Sequence, residues 1–357
     1  MKIVLLTSAM GLGTYVPALH LYEYLKSRGH KVSMEVFERY FSDDTMEKYL
    51  KNKQEYHKSF KVAKLGHKLA EKRLGTVLDE ETEKKILESW KQSGVERFIL
   101  LSGNWVSTVK KYGSYYEEKI KAAVVHMDVA APPSWKHFDN SDQFFQEILP
   151  FDAAGVHYLF ETPFTQKTDE KTGSSACFFF HGGGWGMGNY HAKKMELEKD
   201  TDSTFIELVY NETEMEEDIR TNYYLMDQNW KPWLPQESGA FSFPVMLDGK
   251  SGVKLDNQNM RGLYEIYADC NAIISKPGGG TILDSMITGT PIVFLEPVAS
   301  HEKKNQEAWE ALGMGISFEK WKETGYSLNT LQKIRQNIQE NCAGKKGLGA
   351  HLEEVLK

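Results

Sequence analysis

The chain is poor in cysteine and has no long apolar run, and both shortages narrow what it can be. Its three cysteines, Cys177, Cys270 and Cys342, are widely spaced in 357 residues, with no Cys-x-x-Cys pair and no Cys/His metal spacing. That pattern excludes a disulfide scaffold and fits a reducing, cytoplasmic compartment. No apolar run approaches the roughly 18–20 residues that a membrane-spanning helix needs. The stretch Ile3 to Thr7 is far too short for the core of a signal peptide, so folding is expected to begin at the first residues. Neither G-x-x-x-x-G-K-[ST] nor H-E-x-x-H occurs anywhere. Positive charge is not in excess either: the formal net charge of −7 excludes a surface built as a whole to coat nucleic acid.

What is present is the composition of a soluble globular protein, with 41% hydrophobic and 26% charged residues. At about 100–200 residues per domain, the length calls for two domains. Residues 2–7 (KIVLLT) form a continuous apolar run, the mark of a strand buried on both faces. A glycine turn, a helical stretch from Pro17 to the stop at Arg28-Gly29, and a second strand at 31–37 complete the opening of a doubly wound α/β domain. Runs at 97–102, 121–127 and 153–160 are expected to add strands to the same sheet. The apolar signal vanishes over 161–175, which sets the expected boundary between a first domain, 1–170, and a second, 171–357. The pattern then restarts, with strands expected at 176–181, 204–210, 271–275 and 291–297 and a turn plus helix at 277–289.

Charge is segregated. Thr45 to Gly75 holds nine Lys/Arg and three Glu, whereas Glu196 to Asp218 holds ten acids and one Lys. Two solvated helical faces account for this. So does attraction of the basic stretch to an anionic acceptor or a membrane surface.

Three glycine turns stand between strands and helices, where backbone N–H groups and a helix N-terminus can hold phosphate. The first, Gly11-Leu12-Gly13-Thr14-Tyr15-Val16, has Val where a dinucleotide fingerprint needs its third glycine. The second is Gly182-Gly183-Gly184-Trp185-Gly186. The third, Lys276-Pro277-Gly278-Gly279-Gly280-Thr281, is the most specific stretch of the chain. A diphosphate fits the amides of Gly279 to Thr281, with Lys276 neutralising it and Asp284, one helical turn on, free to accept from both hydroxyls of a ribose.

Over residues 276–315 (KPGGGTILDSMITGTPIVFLEPVASHEKKNQEAWEALGMG) the sequence resembles the donor-binding region of two-domain GT-B glycosyltransferases, nearest to the MurG and monogalactosyldiacylglycerol synthase type within the wider UDP-glycosyltransferase superfamily. Residues 11–32 (GLGTYVPALHLYEYLKSRGHKV) are similar to that family's G-H-x-x-P…R-G-H-x-V opening. The resemblance implies two facing Rossmann-like domains with a cleft between them, acceptor on the first and donor on the second, the last helix packing back on the first. It implies an inverting, metal-independent transfer of a sugar from a nucleotide-diphosphate sugar, a UDP-sugar, to a small-molecule, lipid-linked or envelope acceptor. No cofactor is expected beyond that co-substrate, and no metal. Lys276 and Gly278 to Thr281 are implied to hold the diphosphate, Asp284 the ribose, and Glu302, Asn305 and Gln306 the sugar. Gly183 and Gly184, on a turn facing the cleft, are implied to join the donor site, Gly13, Thr14, His181 and Trp185 are implied to form the acceptor or cleft loop, and the nucleobase is implied to rest within Gly252 to Met260.

One departure stands out: the family's catalytic His is replaced here by Thr14, after Gly13. A threonine hydroxyl does not titrate near neutral pH and is a poor general base. The candidates for that role are His126 and Asp128, which would point the same way if their strand extends so far, and then His181. His20 is expected to be structural. Trp105 and Trp135 follow strand ends, where they either pack in the core or line an acceptor pocket. Without a base, the alternatives are a catalytically inactive nucleotide-sugar-binding protein or a UDP-sugar 2-epimerase-like enzyme. The protein is expected in the cytoplasm, with peripheral membrane contact through 45–75.

Overall fold

The computed structural model describes residues 1–70, 78–116, 120–139, 143–166 and 175–357. The expected boundary at 170/171 and residues 71–75 of the basic stretch lie outside them. Strand β1 (Lys2–Thr7) is buried from Ile3 onward, as its unbroken apolar run requires of a central parallel strand. Helix α1 (Tyr15–Ser27) carries Pro17 in its first turn, where a missing N–H costs nothing, and gives way at Gly29, whose φ is +82°. Next come β2 (Lys31–Val36), α2 (Asp43–Lys58) and α3 (Phe60–Ala70). Helix α4 (Glu80–Ser93) starts at Asp79, which accepts the Thr82 N–H at 2.9 Å, and stops at left-handed Gly94. Strand β3 (Arg97–Leu100), helix α5 (Val106–Tyr116), β4 (Lys121–Val125) and β5 (Phe145–Ile148) complete a parallel sheet of order β2-β1-β3-β4-β5.

The run expected as a strand over 153–160 does not join this sheet. Gly155, at φ +136°, turns the chain into a small antiparallel pair, β6 (Phe151–Asp152) with β7 (Gly155–Val156). Beyond it, β8 (Tyr158–Leu159) pairs with Lys346–Gly347. The edge of the sheet is β5, whose mixed sequence Phe-Gln-Glu-Ile carries no continuous apolar signal.

The second unit runs through β9 (Cys177–His181), α6 (Tyr190–Asp200), β10 (Thr204–Val209), β11 (Thr221–Met226) and β12 (Met246–Asp248). It continues with α7 (Arg261–Asp269), β13 (Ala272–Ser275), α8 (Gly279–Thr288), β14 (Ile292–Phe294), α9 (Ser300–Ala311) and β15 (Gly315–Ser317). These strands order as β12-β11-β10-β9-β13-β14-β15, parallel except for β12. After α10 (Phe318–Glu323), α11 (Leu328–Cys342) and β16 (Lys346–Gly347), helix α12 (Leu348–Val355) lies against α1 of the first unit. There Glu353 receives His30 Nε2 at 2.6 Å, and Arg97 Nε reaches the Leu356 carbonyl.

Both sheets have a topological switch point, the place where open α/β sheets form their binding crevices. In the first it lies between β1 and β3, and the first glycine turn leaves the end of β1. In the second it lies between β9 and β13, and the second and third glycine turns leave the ends of those two strands. The strand order therefore brings all three turns to one cleft. The acidic stretch is not simply a solvated face: Glu207 is fully buried 3.3 Å from the equally buried Lys194 Nζ, and Glu214 holds His57 of α2.

Candidate active site

The floor of the cleft is the third glycine turn. Helix α8 begins at Gly279, and the N–H groups of Gly279, Gly280 and Thr281 take no partner among the described residues, as the first turn of a helix leaves them. Lys276 Nζ bonds to Glu302 Oε1 of α9; Glu302 is buried and Lys276 half-buried. Burial by itself would raise the Glu302 carboxyl; the charge and hydrogen bond of Lys276, with help from His301 and the Val298 N–H, outweigh it and hold the group below the usual carboxylate range. The cation expected from the sequence at a diphosphate is thus held in place by a carboxylate.

The roof comes from the first domain. A Cβ on Gly280 would lie 3.4 Å from the Gly13 Cα, and one on Gly184 would lie 2.7 Å from the Gly11 carbonyl oxygen. A Cβ on Gly279 would overlap the Met127 carbonyl. Gly184 and Gly279 are needed for these approaches of backbone to backbone, not only to turn the chain. In the first turn Gly11 and Leu12 are both left-handed (φ +69° and +65°), a conformation glycine takes freely but one that strains Leu12, and the turn is buttressed by Glu38. That carboxylate, 1% exposed, accepts from the Ser8 hydroxyl and from the Ala9 N–H at 2.7 Å. Thr14 points away from chemistry, donating to the Ser8 carbonyl at 2.9 Å and accepting from Thr7.

His126 and Asp128 do not share a direction, because β4 stops at Val125. His126 is buried beneath Trp135, with ring centroids 4.4 Å apart, and its Nε2 lies 3.0 Å from Glu147. Burial lowers its pKa against the pull of Glu147 and Asp128. Asp128 is half-buried and faces the second domain, its Oδ1 accepting from Asn305 Nδ2 at 2.7 Å and standing 3.2 Å from where a Cβ on Gly279 would sit. Asn305 also accepts the Val129 N–H at 2.8 Å and donates to the Pro277 carbonyl, so it ties the two domains together beside the third glycine turn. Gln306 bonds to Glu310. His181 is fully enclosed, with burial and then Lys276 pushing its pKa down to about 3, and its Nδ1 accepts the Gly183 N–H at 3.1 Å. It is therefore a fixed neutral ring that shapes the second turn, not a base. Trp105 and Trp135 are both buried: Trp105 Nε1 donates to the Thr7 carbonyl and Trp135 covers His126, so neither lines a pocket. His20 bonds to Tyr264 OH at 2.7 Å, joining α1 to α7.

Asp284 is set close to the phenols of Tyr264 and Tyr267, with no hydrogen-bond partner among the described residues. Burial pushes its pKa up to about 8. An unfolded Asp ionises near pH 4, so the folded chain binds the extra proton between about pH 4 and 8 and loses stability as pH rises through that window. Asp284→Asn is expected to remove this slope, so that the thermal midpoint of the variant gains on wild type steadily from pH 5 to pH 8. Parallel pH profiles would contradict a carboxyl kept neutral by burial.

Several residues of the cleft carry no motif. Helix α2 places Tyr49 against Trp185 and Trp233, with centroids 5.2 and 5.8 Å apart, and its His57 bridges Gly186 O and Glu214. Their only sequence signal is helical spacing within the basic stretch.

No family model matches the chain. The processive diacylglycerol beta-glucosyltransferase of Bacillus subtilis (strain 168) is 28% identical over 119 residues, 31% of this chain and 31% of that protein; the match thus spans about a third of that relative's length. Among solved structures, the glycosyltransferase VinC, in complex with DTDP, superposes at TM-score 0.59 over 100% of this chain and 98% of its own, with 10% identity. The spinosyn rhamnosyltransferase SpnG gives 0.56 over 99% of each chain at 10% identity. Acinetobacter baumannii MurG gives 0.53 over 100% and 98% at 11% identity. The chain has the GT-B fold of these glycosyltransferases.

Proposed function

We propose that the protein is a glycosyltransferase that moves a sugar from a nucleotide-diphosphate donor, a UDP-sugar, to a hydroxyl of a small-molecule or lipid acceptor with inversion. The observation that carries this reading is the convergence of three glycine turns at two facing switch points, with Lys276 and the free amides of α8 on one side and Asp128 on the other. In this reading the amides of Gly279 to Thr281 and Lys276 take the diphosphate. They stabilise the charge that develops as it leaves, the part that a metal ion plays elsewhere. Asp284 takes the ribose, and Gly183 and Gly184 line the path between the domains. Asp128, beside the diphosphate turn, removes the acceptor's proton. No cofactor is assigned.

A lipid acceptor is favoured by α3. Val62, Leu65 and Leu69 are 41%, 57% and 45% exposed, and Lys61, Lys64 and Lys68 are interleaved with them, the makeup of a helix that lies on an anionic surface. Among the described residues no helix is long and apolar enough to cross a membrane. The deciding assay offers UDP-glucose and other UDP-sugars with liposomes of anionic lipid and diacylglycerol, and follows UDP release. Release that depends on the liposomes, persists in chelator and falls at least about 10-fold with Leu65→Ser/Leu69→Ser is expected. Release without any acceptor would point to an epimerase-like reaction, and donor binding with no release to an inactive binding protein.

A further inference from the structure

Helix α2 sets Tyr49, Lys53, Tyr56 and His57 at i, i+4, i+7 and i+8, one face, and that face meets the second domain. Tyr49 and Tyr56 pack on Trp185, and His57 is fixed by Gly186 and Glu214. Lys53 differs from its neighbours. It is half-buried, yet it makes no ion pair and no hydrogen bond with any described residue. It lines a narrow cleft between the domains with Leu12, Trp185, Gln228, Trp230 and Trp233. The one carboxylate there, Asp227, is engaged elsewhere: it accepts the Asn229 N–H at 2.9 Å and lies 3.9 Å from Lys254.

A cation partly stripped of water and walled by indole rings is costly unless an anion completes it. Burial accordingly draws the Lys53 pKa down, with no carboxylate drawing it back. The cleft is also in the right place. Gly184 forms part of its wall, and a Cβ on the adjacent Gly183 would lie 3.4 Å from Lys276 Cε, so only the second glycine turn separates Lys53's cleft from the donor diphosphate cation. We propose that Lys53 and the Trp185, Trp230 and Trp233 walls form a subsite for an acceptor that bears an oxyanion, a carboxylate or phosphate, next to a ring or apolar body. The proposal rests on the glycosyltransferase reading, in which the acceptor enters opposite the donor. The cleft is too narrow for a whole acceptor in this closed arrangement, so the oxyanion is the part that enters it, and the indoles exclude water from the charge pair.

The test uses the full chain with UDP present and two fluorescent probes of one shape, 7-methoxycoumarin-3-carboxylate and its uncharged carboxamide. The carboxylate is expected to bind at least about 10-fold more tightly, the scale of one charge-assisted contact. Lys53→Met should bring it down to the carboxamide's affinity, and Lys53→Arg should retain most of the preference. Lys58→Met, an exposed lysine of the same helix, should change nothing. The thermal midpoint of Lys53→Met should match or exceed wild type, since an unpaired, desolvated charge is removed; a lysine needed only for packing would lower it. Equal binding of the two probes, no binding of the carboxylate, or an unchanged preference in Lys53→Met each overturns the subsite. UDP affinity, measured in parallel, should be the same in Lys53→Met and wild type. If wild type fails to bind UDP, the donor reading fails instead, and the probe preference is judged by itself.

Discussion

Asp128→Asn is expected to lower kcat by roughly 10²–10⁴-fold, the scale of a lost general base, while UDP binding stays within about twofold of wild type. The substitution is chosen for its geometry. An asparagine carbonyl can still accept from Asn305 Nδ2, so the tie between the domains survives and only the capacity to take a proton is removed. His126→Gln serves as the comparison. It alters a ring packed under Trp135 and should cost stability more than turnover. A kcat for Asp128→Asn within a few-fold of wild type, at saturating donor and acceptor, would remove Asp128 from the reaction.

The second large effect concerns Lys276. Lys276→Ala should weaken nucleoside-diphosphate binding by at least about 10-fold, and it should also destabilise the fold by roughly 3–5 kcal/mol, because Glu302 is left charged and buried without its partner. With the lysine gone, burial raises the Glu302 carboxyl above its unfolded value. The variant's loss of stability should therefore be larger at pH 8 than at pH 5. The double variant Lys276→Met/Glu302→Gln separates the two roles. Stability should return, because a neutral pair of similar size replaces the ion pair, and the diphosphate affinity should not. Calorimetric titration with UDP and thermal midpoints across pH check both. Full UDP affinity in the double variant would deny Lys276 its place at the phosphate.

Much of this protein is legible in one dimension. The buried run at 2–7, the helix stop at Gly29 and the glycine turns at 11–13, 182–186 and 278–280 are local signals. Each reports a strand buried on both faces, a helix end, or a backbone that must approach another closely. Those features, with Asp284 about one helical turn beyond Gly280, are enough for the α/β class and for the expectation that the third turn takes a diphosphate. Residues 153–160 misled because an apolar stretch does not state its partner, and one left-handed glycine redirected it. Conversely, β5 was invisible because an edge strand with one solvated face needs no continuous apolar run.

The sequence by itself thus determined the α/β pattern, the three turns and the chemistry available at the third. Only the tertiary structure decided how those residues are spent. It paired Lys276 with Glu302, gave Asn305 to Asp128, turned Thr14 inward, enclosed His126 and His181, and set Lys53 unpartnered among tryptophans from the other domain. The reason is one of range. Propensity, capping and turn chemistry act within a few residues along the chain. The charge state and partners of a cleft residue, by contrast, depend on burial and on groups the fold brings in from other elements, 26 residues away for Lys276 and Glu302 and 177 for Asp128 and Asn305, and no local pattern encodes which of two adjacent side chains will face them.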